Sequence, residues 1–566
     1  MCRCWMFHRR RSDRRGSGTP KRDLAETHLI VSFAPVVSRA VLRHGRAMSS
    51  RADSLLTRRR LLTALLASAA GPVLAGAPTT SLRPPAGRGA KPVPGDEVLV
   101  ARARLSGRVG YAVADARTGE ILEARAPAEG IAPASVAKAI TALYALDVLG
   151  AEHRFQTRVL ATGGVSNGVV QGDLLLAGGN DPVMDTRSLA ALAKALKDSG
   201  IREVRGAFRV YEGDVARVDA IDPGQPDHVG YNPAIAGIAL NFNRVHFEWR
   251  RSGSDYTVTM DARAGNYRPA VDVAQMQVVD RSAPVYTYRN SGRWDSWTVA
   301  RGALGREGAR WLPVRHPGLY AADVFATLAR SNGIVLRAPP VIDALPPGEV
   351  VAAIDSPPLS EILHGMLKYS NNLTAEMVGL AASYARAGRV PTLAASAAQM
   401  NSWAQVVLGM DAPAFVDHSG LGDASRISPE DMVRGLAAVG HAGLLRPLLK
   451  PVKLLDAQGR TINNHPVKAE AKTGTLNFVS GLGGYITTPA GRDLVFAIFS
   501  ADEEIRAGLT RAQRERPPGG RTWATRARRL QRQLIMRWGA VYNSPPAPVP
   551  AASPAPATSE VADPEG

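Results

Sequence analysis

Two alternating apolar segments near opposite ends of the chain constrain its fold most. "GRVGYAVADARTGEILEAR", residues 107–125, alternates and then breaks at Asp115 to Gly119, the pattern of a β-hairpin. "SGLGGYITTPAGRDLVFAIFS", residues 480–500, repeats the pattern with its turn at Pro489 to Asp493. A helical pattern follows from about Thr522 to Val541, and residues 358–450 are also helical in period, as in "LSEILHGMLKYSNNLTAEMVGLAASYA". Residues 155–345 instead show short β-like runs broken by Gly, Asn, Asp and Pro. The economical arrangement is one α/β (α+β) domain assembled from both ends, 96–155 with 346–541, and interrupted by a β-rich insertion at 156–345.

The 566 residues fit two or three domains. In "TRRRLLTALLASAAGPVLAGA", Arg58 to Arg60 precede a short apolar stretch ending in Ala-Gly-Ala, the form of an export signal cleaved near Ala75 or Ala77. Thr57-Arg-Arg-x-Leu-Leu also resembles a twin-arginine signal. An uncleaved anchor is the alternative, and Met48 is a candidate start. Residues 78–95 read as a Pro/Gly-rich linker and 542–566 as a low-complexity Ala/Pro tail.

Residues 1–77 hold 15 Lys and Arg against 4 Asp and Glu, which leaves the remainder at +8 instead of +19. That balance favours an anionic surface as neighbour, and the chain has no basic-aromatic array of the kind that binds nucleic acid. Both cysteines, Cys2 and Cys4, fall in the extension, so the mature chain has no thiol nucleophile and no cysteine-ligated metal. The histidines are scattered, and His364 and His418 read as structural. No metal or cofactor is expected.

The chemistry-bearing residues begin in "APASVAKAITALYAL". Ser135 and Lys138 stand three apart at the start of an apolar helix, on one face and within hydrogen-bond reach. A serine hydroxyl becomes a nucleophile when a base takes its proton. Lysine serves as that base once burial or a second cation lowers its pKa. An N-cap serine followed by a solvated lysine is the bland alternative. Against it stands composition, because the chain carries 59 Arg and only 10 Lys, and arginine cannot give up its proton. A second lysine lies in "AKTGTLNFVSG", where Lys472, Thr473, Gly474 and Thr475 offer a cation, hydroxyls and a bare strand edge. A third polar element is Ser370-Asn371-Asn372 in "KYSNNLTAE", which could equally cap a helix at Ser370 or Asn372.

In this order, Ser-x-x-Lys, Ser-x-Asn and Lys-Thr-Gly resemble the motifs of the serine penicillin-recognising enzymes. The intervals of 235 residues from Ser135 to Ser370 and 102 from Ser370 to Lys472 resemble the D-alanyl-D-alanine carboxypeptidase/endopeptidase family, the class C low-molecular-mass penicillin-binding proteins. "GDLLLAGGNDPVM", "ALNFNRVHFEW" and "VDHSGLGDASRISP" are similar to the same family, and the likeness spans about residues 95–541.

The resemblance implies a β-lactamase/transpeptidase-like antiparallel sheet with helices on both faces and a helical subdomain. It implies an exported, extracytoplasmic enzyme acting on peptidoglycan stem peptides and acylated by β-lactams. Ser135 would attack the D-Ala-D-Ala carbonyl, with Lys138 as base and Lys472 helping to keep it neutral. Ser370 would relay a proton, and Asn372 would orient Lys138 and the substrate amide. Lys472 with Thr473 or Thr475 would hold the terminal carboxylate beside Gly474, and the N–H groups of Ser135 and Thr475 would hold the oxyanion. Asp417 is a candidate for ordering the cleft wall. A β-lactamase, or a non-catalytic peptidoglycan-binding module on the same fold, are the competing readings. The basic final helix could associate with a membrane surface through its apolar stripe, or pack that stripe on the sheet.

Overall fold

The computed structural model describes residues 93–545 except 338, 441, 442 and 457. The expected export signal, the linker up to residue 92 and the tail from 546 lie outside the described residues.

Helix α1 (Asp96–Ala103) leads into strands β1 (Arg108–Asp115) and β2 (Ile121–Arg125). Their turn is held by the Asp115 carboxylate, which accepts from the N–H groups of Arg117 and Thr118 at 2.9 and 3.1 Å. At the far end come β3 (Lys450–Pro451), β4 (Lys468–Leu476), β5 (Val479–Thr487) and β6 (Asp493–Ala501). The two ends join in one antiparallel sheet of order β3-β4-β5-β6-β1-β2. β1 pairs with β6 from Arg108↔Ala501 to Asp115↔Leu494.

Period two sends alternate residues of these strands to opposite faces. Tyr111, Val113, Leu494, Phe496 and Ile498 pack with Leu99 of α1 and with Leu530, Leu534, Ile535 and Trp538 of the last helix, α7 (Gly520–Val541). Ala112, Ala114, Val495, Ala497 and Phe499 pack the other face against a helical layer. That layer comprises α2 (Ala137–Leu149), α3 (Leu359–Tyr369), α4 (Asn372–Ala387), α5 (Leu393–Leu408) and α6 (Pro429–Gly440). Both faces are covered, so β5 and β6 are buried along nearly their whole length.

Of the two readings of the last helix, packing on the sheet is the one realised. Its apolar stripe is occupied, and a membrane cannot take it. What α7 leaves exposed includes Arg521, Arg526 and Arg529.

The segment between α2 and α3 builds its own core around Leu176, Phe208, Phe247, Trp297 and Phe325. Its five-stranded sheet runs Val341–Ile342, Phe208–Tyr211, Leu174–Ala177, Gln156–Ala161, Glu349–Asp355, beside three three-stranded sheets. Helices Thr186–Asp198 and Pro317–Ser331 also belong here; the turn-rich β pattern of this segment had hidden them. The first and last strands pair antiparallel, Gln156 against Asp355, so chain exit and return are adjacent. That last strand lies beyond residue 345, where the expected insertion ends. We assign it to the insertion, and the division into domains stands as our proposal.

Candidate active site

Helix α2 is buried on all sides from Ala137 to Ala145, which puts Lys138 wholly inside the protein. Ser135 sits in the tight turn Ala134–Val136 just before it, with Ala134 at φ +47°. Ser135 makes no capping bond; its Oγ accepts from Lys138 Nζ at 3.0 Å. The same Nζ donates to Asn372 Oδ1 at 2.8 Å and to the Ser419 carbonyl at 2.7 Å.

Between α3 and α4 the chain turns through Ser370 in a left-handed conformation, φ +58°. The capping that sequence allowed for Ser370 or Asn372 falls to Asn371, whose Oδ1 accepts from Thr374 N–H at 3.0 Å. Ser370 and Asn372 are thereby free to face the nucleophile. Asn372 Nδ2 donates to the carbonyl of Tyr231 at 2.9 Å, so a loop of the insertion forms part of the wall. That loop is clasped to the main domain by the ion pair of Asp227 with Arg511 and the hydrogen bond between His228 and Glu515, which also pairs with Arg310 of the insertion.

On β4, Lys472 and Gly474 are buried and Thr473 and Thr475 exposed, as alternation requires. Lys472 Nζ donates to Ser370 Oγ at 2.9 Å and to the Thr473 carbonyl at 2.6 Å. Among the described residues, β3 pairs with β4 only at Glu470 and Ala471, leaving no strand on the outer edge from Lys472 onward. A Cβ at Gly474 would stand 2.5 Å from the Pro133 carbonyl and 3.0 Å from Ser135 N. Glycine is what lets the strand approach the nucleophile. Gly474→Ala is expected to lower stability by about 1–3 kcal/mol and to slow penicillin acylation at least tenfold, measured by urea denaturation and stopped-flow labelling.

Hydrogen bonds and close approach thus bring Ser135, Lys138, Ser370, Asn372, Lys472 and Gly474 together, with Thr473 and Thr475 exposed on the same strand. Burial pulls the Lys138 amine down to about 8, against the opposing pull of the Glu376 and Asp417 carboxylates. Lys472 is held well below the usual lysine range, first by burial and then by repulsion from Lys138 and Lys450. His418 is buried, accepts or donates at Ser396 Oγ over 2.7 Å, and is held down to about 3 by burial, consistent with a neutral structural role.

Sequence reasoning missed Glu376, which is fully buried. The signal was available, because a lone carboxylate four residues after Asn372 interrupts an otherwise apolar helix face in "NLTAEMVGLAA". Its carboxyl is pushed up by burial and by Asp417, against the donors at Ser419 and His418.

Known proteins resemble this chain in sequence and in fold. The family model described as D-Ala-D-Ala carboxypeptidase 3 (S13) matches residues 96–516. The chain is similar to D-alanyl-D-alanine carboxypeptidase of Actinomadura sp. (strain R39), 29% identical over 81% of this chain and 88% of that one. It is also similar to D-alanyl-D-alanine carboxypeptidase DacB of Haemophilus influenzae, 24% identical over 65% and 79% of the two. The crystal structure of penicillin binding protein 4 (dacB) from Haemophilus influenzae matches in fold with a TM-score of 0.64 at 20% identity, covering 78% of this chain and 99% of that one. The chain therefore belongs to the D-Ala-D-Ala carboxypeptidase 3 (S13) family and is a serine-type DD-carboxypeptidase.

Proposed function

We propose that Ser135 is the acylated nucleophile and Lys138 its base, in an exported enzyme that trims or opens peptidoglycan stem peptides. One observation carries the assignment: the set of three atoms around Lys138 Nζ. A neutral amine has two N–H groups and one lone pair. The Ser419 carbonyl can only accept, and Asn372 presents Oδ1 because its Nδ2 is engaged by Tyr231. Both N–H groups are then committed, and the lone pair is left for the Ser135 hydroxyl proton.

Loss of that proton to Lys138 accompanies attack of Oγ on the D-Ala-D-Ala carbonyl. The N–H groups of Ser135 and Thr475 would receive the developing oxyanion, a reading supported by the close approach of Gly474 to Ser135 N. Ser370, bonded to Lys472, would pass a proton to the departing D-alanine nitrogen. Water, deprotonated along the reverse path, would release the acyl group and restore Ser135.

Lys472, Thr473 and Thr475 would hold the terminal carboxylate, and the unpaired edge of β4 supports binding of an extended peptide. The same edge would admit a cross-linked stem, hence an endopeptidase reaction as well. A β-lactam complex is known for penicillin binding protein 4 from Haemophilus influenzae, which supports β-lactams as acylating ligands here. Exposed Arg521, Arg526 and Arg529 support an electrostatic, salt-sensitive contact of α7 with an anionic membrane surface. The fatty, Arg-led N-terminal stretch supports an extracytoplasmic location.

Incubation with a stem pentapeptide and with cross-linked muropeptide dimers, followed by mass spectrometry, tests the reading. Loss of one D-alanine is the expected product, and dimers converted to monomers would add endopeptidase activity. Absence of both products, from protein that remains folded, would overturn the assignment.

A further inference from the structure

We propose that Glu376 is a positioning residue for the acylation step: it fixes the Ser419 carbonyl that orients Lys138, and in its ionised form its charge faces Lys138. The inference rests on Ser135 and Lys138 acting as proposed above.

The geometry is a clamp. Glu376 Oε2 accepts from the N–H of His418 and Oε1 from the N–H of Ser419, each at 2.9 Å. The carbonyl of that same Ser419 then takes Lys138 Nζ at 2.7 Å. Asn372 and Glu376 stand four residues apart on α4, on one helix face. A single rigid element therefore sets two of the three contacts of the base, one directly and one through the loop.

Asp417 completes the loop from within. Its carboxylate accepts from Gly420 N–H at 2.7 Å and Gly422 N–H at 2.6 Å, while Leu421 N–H donates to Ser419 Oγ at 3.2 Å. Every backbone N–H from 418 to 422 is thus held by a side chain. The loop also abuts the nucleophile: Gly420 has φ +72°, and a Cβ there would lie 1.9 Å from the Ala134 carbonyl. Small displacements of this loop reach both the serine turn and the base.

The charges around Lys138 come from several elements. Glu376 faces it from α4 and Asp417 from the loop, both favouring its protonated form, and both are wholly buried. Lys472 stands on β4 with Lys450 behind it, while Asp222 of the insertion acts on Asp417. His418 is turned to Ser396 and stays neutral. Of these, Glu376 combines a charge on Lys138 with a bond to the strand of backbone that orients it.

Two substitutions separate the two parts of the claim. Glu376→Gln removes the charge at nearly constant volume but keeps only one of the two acceptors, so its plateau falls as well and the midpoint is the part that reads the charge. Lys138 should then deprotonate more readily, moving the acidic limb of the pH profile of penicillin acylation down by about one pH unit. Glu376→Asp keeps the charge on a shorter arm that cannot span both N–H groups. Its limb should stay in place while the plateau rate falls about tenfold or more. A purely structural role would lower the amount of folded enzyme and leave both midpoint and plateau alone. An unmoved midpoint in Glu376→Gln, or a wild-type plateau in Glu376→Asp, overturns the proposal.

Should neither variant fold, amide exchange on the full wild-type chain decides: a peptide spanning residues 416–422 must exchange as slowly as β5, and exchange at surface-loop rates overturns the clamp. Ser135→Ala run alongside keeps the two readings distinct. Persistent labelling of Ser135→Ala removes the proposed function itself, whereas failure of the Glu376 variants alone removes only this inference.

Discussion

Ser135→Ala is expected to abolish covalent labelling by a fluorescent penicillin and to lower D-alanine release by on the order of 10⁶-fold. The substitution removes one oxygen from a half-buried turn and leaves the backbone unchanged. Lys138 loses one of three contacts but keeps Asn372 Oδ1 and the Ser419 carbonyl. The stability change should therefore stay near about 1 kcal/mol, the usual worth of one hydrogen bond. Intact-protein mass spectrometry reads the adduct and thermal unfolding confirms the fold. An adduct that survives would shift the nucleophile elsewhere, with Ser370, bonded to Lys472, the next candidate.

Lys138→Arg should lower the acylation rate on the high-pH plateau by about 10²–10⁴-fold, the range for loss of a general base, and should leave a residual rate that does not rise between about pH 6 and about pH 10. The wild-type rate instead rises with pH through about 8, because acylation requires the amine to be deprotonated. Arginine keeps a positive charge beside Glu376 and Asp417 but cannot act as a base in a protein. This is why it is a better probe than an apolar residue. Removing the cation outright would strand two buried carboxylates, a change costing about 3–5 kcal/mol for a broken buried pair. The larger guanidinium adds strain of about 1–3 kcal/mol, so the measurement pairs stopped-flow acylation across pH with thermal melting of the same samples. Recovery of rate at high pH in this variant would mean that Lys138 is not the base.

Residue order carried the site further than it carried the fold's details. Ser135, Lys138, Ser370, Asn372 and the Lys472–Thr475 run were all visible because each chemistry needs particular side chains at short, fixed separations. The hairpins at residues 107–125 and 480–500 were visible because alternation has a short period, and their pairing across the sheet follows the expected two-ended domain. The helices at Thr186–Asp198 and Pro317–Ser331 were not recognised, since they stand among turn clusters that dominate the local pattern. The final strand of the insertion, Glu349–Asp355, was also missed. Its partner Gln156–Ala161 lies almost 200 residues away, a pairing that local pattern does not encode.

Glu376 marks the same boundary inside the site. In sequence it is one acid on an otherwise apolar helix face, a signal without a partner. In the fold it meets two N–H groups from a loop some 42 residues later. Sequence by itself determined which groups are candidates for chemistry here, because a serine, a lysine that can lose its proton and a glycine that admits a strand each bring a property that few other residue types offer. Only the tertiary structure decided that Lys138 is dry, that Asn371 takes the cap so that Asn372 can face the base, and that Ser419 lends its carbonyl. Those properties depend on burial and on contacts between segments far apart in the chain, and a pKa or a lone-pair direction exists only once they are made.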